Sequence, residues 1–234
     1  MNPTTTTALR KILASLHAHA NPANVAGMAR YGIVSRHVLG IPMPWLRSLA
    51  KEHGRDHELA LVLWGSGILE ARILAALIGD PARLTARQMD RWAKDFDNWA
   101  VCDGVCIHLL RKTPQAHAQA VRWSARREEF VRRAGFTMMA TLAVHDHQAG
   151  DATFRRYLTL VASAADDGRN GVKKAVNWAL RQIGKRNLRL HAAASRIAQA
   201  LRKTSSPSAR WIAADALREL RSPAVLRRLK KNAR

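Results

Sequence analysis

Three observations predict an all-α fold of antiparallel helix pairs stacked into an array. Apolar residues recur at i, i+3, i+4 and i+7 almost throughout the chain. No segment has the alternating, β-branched pattern of a strand. Gly, Pro and Asp clusters interrupt the helical pattern and leave only short connections. Short connections make successive helices antiparallel neighbours.

In chain order, the spacing predicts helices over Thr5–His19, Trp45–His53 and His57–Trp64, the last closed by Gly65 and Gly67. Leu69–Ile78 follows, stopped by Gly79-Asp80-Pro81, then Thr85–Asp95 and Trp99–Lys112, stopped by Thr113-Pro114. Gln115–Ala125 and Glu128–Val144 come next. Gly150, Gly168 and Ser206-Pro207 punctuate the rest, which reads as helices over Ala152–Ala164, Gly171–Lys185, Leu190–Lys203 and Ser208–Arg221. The segments opening at Leu69, Glu129, Val172 and Ser208 look like one series. Each begins with charged or polar residues and continues with small residues and large aliphatics. Their starts lie roughly 35–60 residues apart, as one or two helix pairs require. We therefore expect an all-α, HEAT-like helical-repeat solenoid (an α-α superhelix) with a concave basic face. Residues 1–222 form a single domain in this reading. The cation-rich segment 223–234 is a basic C-terminal tail that either extends the last helix or frays and touches phosphate, and fraying is preferred.

Composition narrows the partners. With 47% hydrophobic residues in 234, a sizeable core is possible and global disorder is excluded. Lys and Arg number 39 against 17 Asp and Glu, a formal net charge of +22. A folded chain this basic meets nucleic acid or an anionic membrane surface, unless the charge serves only solvation. No run of ~18 apolar residues occurs, which argues against membrane insertion, and no membrane partner is expected. The opening segment lacks the long apolar stretch and cleavage site of a secretion signal. Cys102 and Cys106, one helical turn apart, are poorly placed for a disulfide and too few for a zinc site. They read as reduced, half-buried residues of a cytoplasmic protein.

Trp99 and Asp103 are the first candidates for chemistry. At i and i+4 they share a helical face, setting a flat aromatic surface beside a carboxylate. The alternative is that Asp103 merely favours the helix start and Trp99 packs, with Asp95 and Asp97 available for capping. Trp178 is the second candidate. Its helix also holds Lys173, Lys174, Arg181, Lys185 and Arg186, and Arg181 at i+3 lies near the Trp face. That suits either core packing or contact with nucleic acid. Of Arg132 and Arg133, one must point inward, and a cation near a helix start calls for an anionic partner. His145-Asp146-His147 is too small a cluster for a metal site. No P-loop, GxGxxG, GxSxG or HExxH occurs, so phosphoryl transfer, nicotinamide chemistry and serine hydrolysis lack support.

Four motifs in this order carry a resemblance. They are Met28-Ala-Arg-Tyr31 followed by Leu39-Gly-Ile-Pro-Met-Pro44, Asn98-Trp-Ala-Val-Cys-Asp103, Val131-Arg-Arg-Ala134 and Lys173-Lys-Ala-Val-Asn-Trp-Ala-Leu-Arg181. From about Met28 to Leu220 the chain resembles the AlkD family of bacterial DNA alkylation repair glycosylases, all-α proteins of HEAT-like repeats that cup duplex DNA. The resemblance implies Asp103 as the catalytic carboxylate and Trp99 and Trp178 as aromatic faces against the sugar. It implies Arg133 as the phosphate-binding arginine, because Ala134 follows it, and Tyr31 as a DNA contact. Lys173, Lys174, Arg181 and Lys185 complete the expected DNA-binding set. The chain departs from better-known members in three places. Asn98 stands where a further Trp can occur, Gly104 stands where a Ser can occur, and the Tyr31–Leu39 spacing is shorter.

The implied activity is excision of cationic N3- or N7-alkylated purines from double-stranded DNA by hydrolysis of the N-glycosidic bond. The lesion stays largely stacked, with no deep base-flipping pocket. Such a bond is already weak, so a carboxylate near C1′ and aromatic faces suffice. No metal or cofactor is required. We expect a monomer, cytoplasmic and held at the bacterial nucleoid by its substrate. The competing readings are a non-catalytic HEAT-repeat binder of distorted or branched DNA, and a protein–protein scaffold. The scaffold has no need of +22.

Overall fold

The computed structural model describes residues 3–231. The first two residues, and the last three of the expected tail, lie outside the described residues. Within them the chain forms fourteen α-helices and one 3-10 turn, with no strand. In order these are α1 (Pro3–Ala18), α2 (Pro22–Arg30), α3 (Met43–His53), α4 (His57–Gly65), α5 (Leu69–Ile78), α6 (Ala86–Lys94) and α7 (Trp99–His108). The 3-10 turn spans Leu110–Lys112. Then come α8 (Ala116–Ser124), α9 (Glu129–His145), α10 (Asp151–Ser163), α11 (Asn170–Gly184), α12 (Leu188–Leu201), α13 (Pro207–Leu220) and α14 (Pro223–Lys231). The chain divides into two compact units, Met1–Gln115 and Ala116–Arg234.

In the first unit α5 is central. It packs against α4 on one side and against α3 and α7 on another, and α1 closes over α4. Trp64 of α4 stacks on Trp92 of α6 with ring centroids 4.0 Å apart, and its indole N–H donates to Asp95 at 2.7 Å. In the second unit α9, α11 and α13 pack successively into one layer, while α10 and α12 form a second and α8 lies against α9. This alternation is the physics of a helix-pair repeat: each pair has an apolar stripe that only its neighbour covers. Small residues set the spacing. A Cβ at Gly135 of α9 would lie 2.4 Å from the Ser124 backbone nitrogen, so only glycine allows α8 and α9 to approach this closely.

Three helices depart from the pattern expected of the sequence. Helix α2 has no buried residue and hence no apolar stripe to read. It is held by polar contacts instead: Asn21 caps it, and the Asn24 side-chain amide donates to the Gly40 carbonyl at 2.9 Å. The tail expected to fray forms α14, because Val225 and Leu229, four residues apart, are buried where it meets α13. The helix expected to run from Trp99 to Lys112 ends at His108, where Leu109 leaves helical geometry and the 3-10 turn takes over. Cys102 and Cys106 are buried outright rather than half-buried.

One contact positions the loop between α2 and α3. Glu70 of α5 is 0% exposed. Its carboxylate accepts the backbone N–H groups of Leu39 at 3.0 Å, Gly40 at 2.7 Å and Ile41 at 3.3 Å. Gly40 has φ +76°, and a Cβ there would lie 2.3 Å from the Asn21 carbonyl oxygen. A buried carboxylate is tolerated only when hydrogen-bonded in this way. Glu70→Ala leaves two buried donors and one part-buried donor unpaired, each buried one costing roughly 1–3 kcal/mol. We predict a loss of at least about 3 kcal/mol in a urea titration, whereas a loss below about 1 kcal/mol would show that the loop stands without the carboxylate.

Candidate functional site

Helix α7 begins with Asn98, whose side-chain oxygen accepts the N–H groups of Ala100 and Val101 at 3.0 and 3.1 Å. Asn98 is therefore the cap, a role for which Asp95 and Asp97 were also available. Asp95 accepts from Trp64 instead, and Asp97 accepts from the Asn98 amide and from Ser35. With the cap assigned, Asp103 is not needed at the helix start. It is the fifth residue of α7, half-buried and beyond the first turn.

Trp99 is not core packing. It is 39% exposed, and its indole N–H donates 2.9 Å to the Tyr31 carbonyl at the end of α2. That bond fixes the ring's edge and leaves a face open. Tyr31 itself is 77% exposed. Trp99, Ala100, Asp103, Gly104, Ile107 and His108 all line one side of a groove of about 690 Å³. Their spacing is that of a single helical face. The opposite side comes from α2 and the loop held by Glu70, through Met28, Tyr31, Ile41, Pro42 and Met43. The resemblance implied no deep pocket here. What the structure places beside Asp103 is an open groove with a largely apolar lining.

His108 and Arg47 also line it. Burial holds the His108 imidazole below its ordinary pKa, and Arg47, Lys112 and Arg111 lower it further. Neither residue was singled out from the sequence. His108 carried a usable signal, four positions after Gly104 on the face that holds Asp103, but Arg47 did not.

The remaining candidates belong to the second unit. Arg133 of α9 is only 6% exposed, and its guanidinium donates 2.7 Å to the Gly171 carbonyl in the first turn of α11. Glu129, one turn earlier, accepts the Gly171 N–H at 3.1 Å. Arg133 is thus the inward-pointing member of the arginine pair, while Arg132 pairs with Asp167 at 3.3 Å. Trp178 of α11 is half-buried. Lys174 is exposed, and Lys173 lies 5.0 Å from the ring centroid of Trp211, itself 42% exposed. Arg181 and Lys185 do not stand as free cations. Both pair with Glu219 of α13, and Arg181 also lies 3.7 Å from Asp215. Their charge is partly offset by these carboxylates, and they join α11 to α13.

Asp146, from the His-Asp-His segment, closes its loop by accepting the N–H groups of Gln148 and Ala149, both at 3.0 Å. It also bonds His117 at 2.7 Å, and the other His117 nitrogen lies 2.6 Å from the Tyr157 hydroxyl. Burial pushes the Tyr157 phenol up.

The fold and these side chains define a helical-repeat protein with an aromatic–carboxylate site on a strongly basic chain. The chain belongs to the family described as DNA alkylation repair enzyme, whose model matches residues 12–220. One similar solved structure bears the description "a new family of proteins related to the HEAT-like repeat DNA glycosylases with affinity for branched DNA structures". It is 22% identical over 82% of both chains, with a TM-score of 0.73, a likeness that shows the fold. A designed armadillo repeat protein in complex with a (KR)4 peptide is 15% identical over 80% of both chains, with a TM-score of only 0.39. No curated protein matches the chain. Among the described residues, no helix is long and apolar enough to cross a membrane.

The titrating groups predict how stability responds to acid. Burial depresses His57 and His108 below the ordinary imidazole value of 6.5. The unfolded chain therefore binds protons that the folded chain refuses, and stability falls as pH drops through about 6.5. Asp146 and Asp167 are depressed chiefly by hydrogen bonds from His117 and Arg169. Their contribution is present above about pH 4 and is lost below it. Thermal melts from pH 8 to 3 should show a shallow decline beginning near 6.5 and a steeper one below about 4. A melting temperature that rises between pH 7 and 5 would contradict the assignment of the two histidines.

Proposed function

We propose that the chain is a DNA glycosylase that excises cationic N3- or N7-alkylated purines from double-stranded DNA. Asp103 stabilises positive charge developing at C1′ and orients the attacking water. Trp99 offers one aromatic face to the DNA, and Trp178 offers another. Water supplies the hydroxyl at C1′ as the C1′–N bond breaks. The electron pair leaves with the purine, which departs neutral, and a proton is released. No metal or cofactor enters the scheme, and the lesion need not be enclosed. The observation that carries this reading is a half-buried Asp103 on an apolar-lined groove beside an open, edge-anchored Trp99, in a member of a DNA alkylation repair family.

In this reading the surplus of cations grips phosphate through exposed side chains such as Lys174, and Lys173 and Tyr31 each add a DNA contact of their own. Arg133 reaches phosphate only through the little of its surface that is open. Its first duty is to join α9 to the start of α11. Arg181 and Lys185 support α11 through their pairs with α13. A second reading, a non-catalytic binder of branched DNA, draws on the description of the 22%-identical structure. The chain acts as a monomer in the cytoplasm in either case.

Single-turnover assays with methylated duplex distinguish the two. Asp103→Asn keeps the shape and removes the charge, so release of free alkylpurine should fall about 10²–10³-fold while duplex binding persists. Trp178→Ala should lower release less. Release by Asp103→Asn at the wild-type rate would remove Asp103 from the mechanism. No release by wild type would favour the branched-DNA reading. Duplex affinity should fall with salt at a log–log slope of about −4 or steeper, whereas a slope near zero would remove DNA from the account. Arg133→Ala should lower the melting temperature as well as affinity. If only affinity changes, Arg133 is a phosphate contact and not a helix junction.

A further inference from the structure

Two glycines in helices line the Asp103 groove from opposite sides, Gly27 of α2 and Gly104 of α7. Neither is required by packing, since a Cβ built on either meets nothing within 4 Å. Neither has positive φ. Glycine inside a helix costs roughly 0.5–1 kcal/mol relative to alanine. The two positions thus forgo helix stability to keep space open in one groove. The rest of the lining gives the shape and chemistry of what fits. Met28, Met43 and Ile107 present soft, apolar surface, and methionine sulfur suits an aromatic ring. Asp103, His108 and Arg47 supply acceptors and donors among them. A flat ring with polar edges matches this lining better than an aliphatic chain does.

We propose that the groove receives an unpaired nucleobase of the bound DNA. The proposal rests on the duplex-binding part of the function proposed above, and it deepens the role of the same site. The groove is open, so it suits a base already outside the stack, and the protein need not extract one. The occupant's faces lie against apolar side chains, and its edge meets His108 and Arg47, which leaves Asp103 for the sugar. The exposed Trp99 indole, anchored on Tyr31, forms the mouth through which such a base passes. Stacking on aromatic and apolar surface is sequence-tolerant, so the groove discriminates paired from unpaired bases and not one base from another.

The test uses the full chain and two DNAs, a fully paired duplex and the same duplex carrying 2-aminopurine as a single-nucleotide bulge. Wild type should bind the bulged duplex at least about fivefold more tightly and change the 2-aminopurine emission on binding. Gly104→Leu fills the groove from α7 and should melt no lower than wild type, because the position is open and leucine favours a helix. It should keep the affinity for paired duplex, lose the preference for the bulge and leave the emission of the bulged duplex unchanged. Gly27→Leu, on the other wall, should do the same and serves if the first variant folds poorly. A bulge preference that survives in both variants overturns the proposal. So does wild-type binding of both DNAs with equal affinity and unchanged emission, a result that leaves duplex binding itself intact. If wild type binds neither DNA, the duplex reading falls and the groove proposal falls with it.

Discussion

The Glu70 carboxylate is the contact on which the first unit's site depends. Helix α2 buries nothing of its own, so packing alone does not hold it. It is tied to the following loop by the Asn21 N–H donating 2.7 Å to the Leu39 carbonyl and by Asn24 on the Gly40 carbonyl. That loop is fixed in turn by three N–H groups converging on Glu70. At its far end α2 supplies the Tyr31 carbonyl that anchors Trp99. One buried carboxylate on α5 thus decides where an exposed tyrosine and an exposed tryptophan stand. The same contact explains why the groove has a second wall.

The second unit uses charge differently. Asp167, Asp215 and Glu219 each hold arginine or lysine across helix junctions. Such pairs join neighbouring repeats and offset part of the positive charge at those positions. The acidic residues are few, and many are engaged in this way, so the remaining cations dominate the surface. This is the electrostatic condition for a polyanionic partner, and it coexists with an apolar core of ordinary composition.

Much of the fold was legible because helices announce themselves by period. Leu69–Ile78 was read to the residue, and the other expected helices begin within two residues of where they stand. The α9 to α13 layer was legible from the series opening at Glu129, Val172 and Ser208. What escaped was structure held by other means. Helix α2 is short, interrupted by Gly27 and stabilised by polar contacts that no apolar pattern records. The α7 cap went to Asn98 and not to its aspartate neighbours, because only the three-dimensional path shows that Trp64 and Ser35 already engage those carboxylates. In the site, Trp99 and Asp103 share one groove as their i, i+4 spacing required. Arg133, Arg181 and Lys185 have the charge expected of DNA contacts, but spacing could not reveal that carbonyls and carboxylates inside the protein hold them. The groove itself was invisible, since its walls come from segments far apart in the chain.

The central claim is that DNA is engaged at the surface formed by Tyr31, Trp99 and Asp103. Amide hydrogen exchange of the full chain, with and without a saturating short duplex, tests it without depending on turnover. Binding should slow exchange in the end of α2, the loop to Met43 and the exposed face of α7, and also at the start of α11. Slowing confined to other helices, with the segments around Tyr31 and Asp103 exchanging as in the free protein, would contradict the account.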